Sequence, residues 1–352
     1  MRIGVGLDGR LGLSFEQLRE AARQAAALGF ESAWTPAGGV PDAFHVCAAW
    51  SQDCPQLRTG ISVVPLARTW TVTAAAIQAA TVGQIAGGRF VLGIGTGGYG
   101  ARFWASVGMP NRPIAVMRDY LTVLQGLLAG DRVTYDGPAL QVRGVSLASP
   151  TNPTPLARVP IHLGALGAQM IRLAGEASDG ALLNWATPAR IAESRRLLDE
   201  GAARAGKDPS QVALTMYVRV CIDDDVDAAR RALGAQVLGY AIGTPGGPIP
   251  PRDGGYRAAF TAMGFDEVLT ELEQRRERGE SFEALIEAAP DELLSAVGYY
   301  GTAGNAPAAY ARLSEGLDET VVRVITARPG LEPVVAAMEA LTPARIRPAQ
   351  RR

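Results

Sequence analysis

Apolar positions follow two alternating patterns along the chain: short continuous runs, and longer stretches in which apolar residues return every three or four positions. Residues 3–7 form the first run. The apolar positions that follow with helical spacing are Leu18, Ala21, Ala22, Ala25 and Leu28. Ser14, with Gln17 three residues later, predicts the start of this helix, and Gly29 predicts its end. The same cycle then repeats along almost the whole chain.

Eight of the short runs have the length and composition of buried strands. They are residues 3–7, 32–35, 59–64, 89–94, 160–164, 181–184, 213–222 and 320–326. Strands that alternate with helices indicate a parallel sheet, and eight such units fit a closed (β/α)8 TIM barrel of the α/β class. A length of 352 residues alone would suggest about two domains. The strand count favours one barrel domain over residues 1–352.

Two segments interrupt this alternation. Residues 133–140 predict a small hairpin on an Asp-Gly turn. Residues 240–300 combine a Pro/Gly-rich loop with charged helices, and we interpret them as an insertion between strands seven and eight. Such an insertion lies at the mouth of a barrel or decorates its surface, and the sequence weighs both positions equally.

Charge and composition narrow the function. The 34 basic and 35 acidic residues give a net charge of −1, so neither nucleic acid nor a membrane is expected as a partner. Lys207, the sole lysine, lies in a polar turn, which argues against imine chemistry and against a lysine-containing phosphate loop. Three cysteines, an odd number, predict a reducing cytoplasm, and two histidines are too few for a His-rich metal site. We expect a small-molecule substrate and no metal.

Two glycine clusters follow predicted strands. Residues 95–100 match GxGxxG, but Asp119, at the distance of a ribose-binding acid, lies inside a helical pattern. The cluster therefore predicts only that a planar group can approach the backbone there. Residues 161–169 pass from strand to helix through Gly164 and Gly167, where free amides can hold a phosphate without lysine. The alternative is a tight turn with nothing bound.

Four segments together resemble the luciferase-like monooxygenase superfamily of barrel flavoproteins, particularly the branch that uses the deazaflavin coenzyme F420. They are TGISVVP at 59–65, GGRFVLGIGTG at 87–97, PIHLGALG at 160–167 and LAGEASDG at 173–180. Each segment is weak alone, but their order and spacing match the superfamily.

The resemblance implies a non-prolyl cis peptide at Ser62-Val63, in a bulge that presses on the cofactor ring from behind. It places Thr96 and Gly97 along the ring and ribityl chain. It also places the phosphate at the second glycine cluster. The residues assigned to the cofactor are Thr35, Ser62, Val63, Thr96, Gly97, Gly98, Gly164, Ala165, Leu166, Gly167 and Ala168. The alternatives are a buried strand serine at Ser62 and a turn residue at Thr96.

The chain departs from the F420-linked sugar-phosphate and alcohol dehydrogenases of this family. Ala37 and Gly38 stand where those enzymes carry an Asp-His pair, and Gly98 replaces their glutamate. Alcohol oxidation needs a base poised near neutral pH, and none is supplied at these positions. We therefore predict a reductase that passes hydride from reduced F420 to a small organic substrate. The alternatives are an FMN-dependent monooxygenase on the same fold and a barrel without enzymatic activity.

The proton donor and the substrate wall are less defined. Asp8, at the end of the first strand, is a candidate catalytic acid, although the sequence favours the alternative that it caps the next turn. Trp34, Tyr99 and Trp185 are predicted to line the substrate side of the pocket, although each could belong to the core. His162 is interpreted as a core histidine. A homodimer is expected because oligomers are common among proteins of the family.

Overall fold

Eight parallel strands close into a barrel in the computed structural model, which describes residues 1–98, 100–147 and 156–349. The barrel order is β1, β2, β3, β4, β7, β8, β9 and β11, which returns to β1. These strands are β1 Arg2–Gly6, β2 Ser32–Thr35, β3 Arg58–Pro65, β4 Phe90–Gly95, β7 Ile161–Gly164, β8 Gly180–Asn184, β9 Ala213–Ile222 and β11 Glu319–Ile325. The predicted TIM barrel is confirmed, and every predicted strand boundary lies within one residue of the observed one.

Helices pack outside the barrel between the strands. They are α1 Phe15–Ala27, α2 Ala43–Asp53, α3 Leu66–Thr69, α4 Val72–Ile85, α5 Ala101–Ser106, α6 Pro113–Ala129, α7 Ala168–Ala177, α8 Pro188–Arg204, α9 Val226–Ala241, α10 Gly255–Ala262, α11 Asp266–Glu277, α12 Phe282–Ala288, α13 Asp291–Val297, α14 Ala306–Leu313, α15 Leu331–Ala340 and α16 Pro343–Ala349. Short 3-10 helices cover Gly9–Leu11 and Pro209–Gln211. Within the described ranges, no helix has the length and apolar character needed to cross a membrane.

The predicted start of α1 is confirmed. The Gln17 amide donates to Ser14 Oγ at 3.2 Å, and the Ser14 amide donates to Gln17 Oε1 at 2.9 Å. This reciprocal pair satisfies two amide groups that a helix start otherwise leaves open. The helix then presents its predicted apolar face to the core, where Leu18 and Ala22 are buried.

The predicted hairpin is also confirmed, as β5 Val133–Asp136 paired with β6 Gln141–Val145. Asp119, buried on α6, accepts hydrogen bonds from Tyr135 Oη at 2.8 Å and from the Ala139 amide at 2.7 Å. This carboxylate anchors the hairpin to the barrel, which explains an acidic residue inside an apolar helix.

The segment between β9 and β11 contains helices α10 to α13 and a short strand, β10 Gly298–Gly301, which pairs with β9 outside the barrel. The sequence did not predict β10, because Gly-Tyr-Tyr-Gly lacks an apolar run. Tyr256 on α10 accepts a hydrogen bond from Asn184 Nδ2 at 2.7 Å, and Asn184 ends β8. This contact favours the barrel mouth as the position of the insertion.

A buried carboxylate fills the opposite, amino-terminal end of the barrel. Glu319, fully buried at the start of β11, accepts from Ser32 Oγ at 2.6 Å, Trp34 Nε1 at 2.9 Å and Arg58 Nη1 at 2.9 Å. Arg2 Nε adds a fourth contact at 3.2 Å. The prediction that Trp34 lines the pocket is wrong, because its ring is buried inside the barrel and its N–H donates to Glu319.

Candidate active site

The carboxyl end of β3 carries the predicted bulge. The Ser62-Val63 peptide is cis, as the resemblance implied, and the pairing of β3 with β4 shifts register between Ile61 and Val64. A Cβ added at Gly95 of β4 would lie 2.8 Å from a methyl of Val63, and one added at Gly164 would lie 3.1 Å from the other. The two glycines therefore make room for Val63 at the mouth of the barrel.

A tyrosine inside the barrel faces the bulge. Tyr217 of β9 is 7% exposed, and its hydroxyl points toward Ser62 without a hydrogen-bond partner among the described residues. Burial raises the pKa of Tyr217 and holds the phenol neutral. Tyr217 therefore places a neutral hydroxyl beside Ser62 of the bulge.

The loop after β4 is shaped by glycine. Gly97 has a φ of +83°, and a Cβ at Gly98 would overlap the Phe103 ring. Thr96 Oγ1 donates to the Gly98 carbonyl at 2.9 Å, so Thr96 stabilises the turn, which was the alternative weighed for it. Thr35 is buried at the end of β2. Tyr99 lies outside the described residues.

The loop between β7 and α7 leaves space for an anion. Gly167 precedes the first turn of α7, no side chain caps that turn, and a Cβ at Gly167 would meet no heavy atom within 4 Å. The Ala165 amide is not available to an anion, because it donates to the Leu182 carbonyl at 3.0 Å. Arg190 Nη2 donates to the Leu166 carbonyl at 2.8 Å and fixes the loop. The amides from Gly167 and Ala168 onward thus face open space at a helix N-terminus, which suits phosphate.

These three loops meet because β3, β4 and β7 are neighbours in the barrel. A cleft of about 560 Å³ opens next to the end of β3, where Leu66 and Trp70 face Tyr120 of α6 and Arg143 of β6. The described residues of the glycine loops after β4 and β7 do not line this cleft. A volume of this size is typical of small-molecule sites. The sequence did not predict the cleft, since the loops that form it come from separate units of the barrel.

The opposite wall of the mouth holds a buried arginine. Arg219 of β9 is 3% exposed, donates to Asn184 Oδ1, and places its guanidinium 3.8 Å from the ring centre of Trp185. Burial lowers the pKa of Arg219, although the group stays charged at neutral pH. No carboxylate forms an ion pair with it in the part of the chain that the structure describes. The sequence contains a feature from which Arg219 could have been predicted as a site residue, since it is an arginine inside an otherwise apolar strand.

Trp185 lies on this wall, and its side chain is buried rather than open to the mouth. Phe260 of α10 packs against its ring at 6.3 Å, and its indole N–H has no hydrogen-bond partner among the described residues. Its φ is +56°, a conformation that is unfavourable by about 1–3 kcal/mol for a non-glycine residue. Strain of this kind is typical of functional sites.

A second tyrosine lies between two arginines. Tyr240, near the end of α9, accepts a hydrogen bond from Arg10 Nη1 at 3.1 Å, and the Arg219 guanidinium is 5.1 Å from its ring centre. Burial raises the pKa of Tyr240, but the charges of Arg219 and Arg10 and their hydrogen bonds outweigh it and bring the pKa below its ordinary value. Neither Tyr240 nor Arg10 was predicted as a site residue from the sequence.

Asp8 is not retained as the proton donor. Its side chain accepts from the Arg10 amide at 2.8 Å and forms a buried ion pair with Arg323. Burial lowers the pKa of Arg323 to about 10, so the guanidinium remains charged at neutral pH. Both oxygens of the Asp8 carboxylate are thus engaged, one by the Arg10 amide and the other by Arg323. Asp8 therefore caps the turn after β1, the alternative weighed for it.

His162 is a core residue, as interpreted from the sequence. It lies inside the barrel with its ring centre 6.3 Å from that of Trp34. Burial lowers its pKa to about 3, so the imidazole is neutral at physiological pH. His162 lies below the mouth and contributes packing rather than chemistry.

The chain is similar in sequence and in fold to known proteins. The luciferase-like monooxygenase family model matches residues 1–322. A 5,10-methylenetetrahydromethanopterin reductase of Methanolobus tindarius is 31% identical over 219 residues, which cover 62% of this chain and 64% of that protein. The match therefore spans somewhat less than two thirds of this relative.

Two further matches extend over more of the chain. A Mycobacterium tuberculosis protein, named as a coenzyme F420-dependent oxidoreductase, is 30% identical over 285 residues, or 76% of this chain and 78% of that protein. The solved structure of the F420-dependent tetrahydromethanopterin reductase of Methanopyrus kandleri superposes with a TM-score of 0.75 at 20% identity, covering 97% of this chain and 99% of that one.

Proposed function

The chain belongs to the luciferase-like monooxygenase family, and from that premise we propose that it is an oxidoreductase that uses reduced coenzyme F420 to reduce a small organic substrate. One observation carries the proposal: the Val63 bulge, the glycine loop after β4 and the uncapped start of α7 lie on three adjacent strands. The F420-dependent names of two matched proteins favour F420 over FMN.

The residues of the site fit this cofactor. Val63 would support one face of the ring system, the backbone of Thr96 to Gly98 would lie along its edge, and the first amides of α7 would hold the phosphate. When bound, reduced F420 supplies a hydride. The protein contributes orientation and a wall that faces the open side of the bulge.

The surroundings of β2 support reduction rather than alcohol oxidation. The Ala37 amide donates to the Val63 carbonyl at 3.4 Å, and Gly38 follows with a φ of +118°. Neither side chain can accept a proton. The nearby His45 is exposed and paired with Asp42 at 2.8 Å. An alcohol would therefore lack a base at these positions, whereas a reduction needs an acid.

Binding of the two cofactors tests the proposal directly. Purified protein is titrated with F420 and, separately, with FMN, and binding is followed by fluorescence. We expect saturable F420 binding and much weaker FMN binding. Tight FMN binding without F420 binding would instead assign the chain to flavin-dependent monooxygenase chemistry, and binding of neither would favour a barrel without this function.

A matched pair of glycine variants tests the position of the phosphate. Gly167 and Gly304 both have open space at the Cβ position and no positive φ. In Gly167→Asp the carboxylate caps α7, which favours the helix, but it repels a bound phosphate. We expect F420 affinity to fall at least about tenfold in Gly167→Asp and to stay unchanged in Gly304→Asp. Equal affinities would place the phosphate elsewhere.

We also propose that the protein is a homodimer. Ile77 and Ile85, two turns apart on α4, are 52% and 39% exposed. The outer face of α4 therefore carries two exposed apolar side chains that a partner subunit would cover. Light scattering after size exclusion, showing a monomer at micromolar concentration, would contradict the dimer.

A further inference from the structure

We infer that Tyr240 is the acid of this site: its phenol, held between the guanidinium groups of Arg10 and Arg219, gives its proton to the substrate during reduction. The inference deepens the proposed function and rests on it. It also fills the role that Asp8 cannot perform, because the Asp8 carboxylate is paired with Arg323.

The fold places Tyr240 on the wall across from the bulge. In the barrel order, β9 is separated from β3 by four steps in either direction, so the two strands face each other. Tyr217 of β9 reaches Ser62 across the barrel. Arg219 follows on the same face, one step closer to the mouth, and its guanidinium contacts the Tyr240 ring. A substrate between bulge and wall would therefore lie beside Tyr240.

The charges around the phenol stabilise its deprotonated form. Arg10 Nη1 donates to Tyr240 Oη at 3.1 Å, and Arg219 lies beside the ring. The other side chains that pack against Tyr240 are aromatic: Tyr256, with its ring centre at 4.6 Å, and Trp185 at 5.6 Å. In the described part of the chain, neither arginine has a carboxylate partner. A tyrosinate would thus balance two positive charges that lack a partner.

The other buried titratable groups near the barrel axis do not compete for this role. Burial raises the pKa of Tyr217, so its phenol holds its proton too strongly. His162 is neutral and lies deeper in the barrel. Arg10 is exposed, which gives Tyr240 contact with solvent protons between turnovers.

The proposed reaction is the reduction of a C=N or C=O bond in the substrate. The carbon accepts a hydride, which is the chemistry that reduced F420 supplies when bound, and the π electrons move to the heteroatom. The heteroatom takes the proton from Tyr240 Oη. The products would be the reduced neutral substrate, the oxidised cofactor and a tyrosinate. The proton that the cofactor loses on oxidation goes to solvent, and Tyr240 regains one from solvent past the exposed Arg10 side chain.

The ionisation of Tyr240 is measurable without any ligand. Ultraviolet difference spectroscopy follows tyrosinate formation in the wild type, Tyr240→Phe, Arg10→Gln and Arg10→Lys, with Tyr299→Phe as control. We expect one tyrosine of the wild type to ionise below its ordinary pKa of about 10, and Tyr240→Phe to lack this ionisation. Arg10→Gln should move it to higher pH, and Arg10→Lys should largely preserve it. Identical curves for the wild type and Tyr240→Phe below pH ~10 would overturn the inference.

Turnover provides the second measurement. Reduced F420 is mixed with 2-cyclohexenone or 1-pyrroline as probe substrates, and its oxidation is followed. We expect kcat to fall about 100-fold in Tyr240→Phe, with little change in KM, and the wild-type decline of kcat at alkaline pH to disappear. Wild-type kcat and pH profile in the variant would overturn the inference.

The two proposals fail in distinguishable ways. If the wild type binds no F420, the proposed function fails, whatever the ionisation curves show. If F420 binds normally to both proteins but Tyr240 ionises at an ordinary pH, only the assignment of Tyr240 fails. The ionisation curves decide this second point even where neither probe is reduced.

Discussion

The two ends of the barrel treat buried charge in opposite ways. At the amino-terminal end, Glu319 is shared by Arg2, Arg58, Ser32 and Trp34, so the carboxylate and its donors satisfy one another. At the carboxyl-terminal end, Arg219 is as deeply buried, yet no carboxylate in the described residues pairs with it. One end is complete within the chain, and the other has an excess of positive charge.

Charge, rather than hydrogen bonding in general, separates the two ends. Neutral buried atoms without a partner occur lower in the barrel, at His162 Nδ1 and Thr215 Oγ1, as well as near the mouth at Tyr217 Oη. Burial of a cation without a counter-charge is far more unfavourable in free energy than burial of a neutral polar atom without a hydrogen-bond partner. The comparison therefore indicates a structural network at one end and a site for an anionic or electron-rich group at the other.

The largest expected effect lies at the complete end. Glu319→Gln removes the charge shared by Arg2 and Arg58 but preserves the shape of the side chain. Removing one partner from a buried ion pair typically costs about 3–5 kcal/mol. We expect a loss of this size in the free energy of unfolding by urea denaturation, with the ionisation of Tyr240 unchanged. A loss below about 1 kcal/mol would show that the network adds little.

The incomplete end should gain stability from its ligand. A ligand at 100 times its Kd stabilises the folded state by about 2.7 kcal/mol. We expect F420 to raise the unfolding free energy by this amount in the wild type and in Gly304→Asp. Gly167→Asp should gain much less at the same F420 concentration. An equal gain in both variants would separate the stabilisation from the phosphate loop.

We expect acid to lower the stability of the protein through His162, which lies inside the barrel rather than at its mouth. Burial lowers the pKa of His162 to about 3, so the folded imidazole stays neutral where the unfolded one, with a pKa of about 6.5, binds a proton. The unfolded state then binds more protons, and stability is lost as pH falls from about 6.5 toward about 3. At pH ~5 the loss should be roughly 2 kcal/mol relative to neutral pH.

The variant His162→Leu isolates this contribution. Its unfolding free energy should depend less on pH between about 5 and 6.5 than that of the wild type. His45 provides the control, because its side chain is 79% exposed. We expect His45→Gln to retain the wild-type dependence, and a variant at His162 that retains it as well would contradict the assignment.

The sequence predicts the barrel well because continuous apolar runs are a local property. It predicts the cis peptide at Ser62-Val63 only through a family resemblance. The buried polar contacts between the first and last strands are not local in this way. Asp8 pairs with Arg323, and Ser32 donates to Glu319, over separations of 315 and 287 residues, because the barrel closes there. Trp34 was misplaced for a related reason, since parallel strands are buried on both faces and their pattern does not reveal which side points inward.

The smallest expected effect on stability is that of Arg219→Met. The matched variant is Arg323→Met, because Arg219 and Arg323 are register partners on the adjacent strands β9 and β11. Arg323 is paired with Asp8, so Arg323→Met leaves a buried carboxylate alone and should cost about 3–5 kcal/mol. Arg219→Met removes an unpaired charge together with its contact to Trp185, two effects of opposite sign. We expect the unfolding free energy of Arg219→Met to change by less than about 2 kcal/mol, and Tyr240 to ionise at higher pH. A loss as large as that of Arg323→Met would mean that Arg219 already has its counter-charge within the protein, and the two ends of the barrel would then be alike.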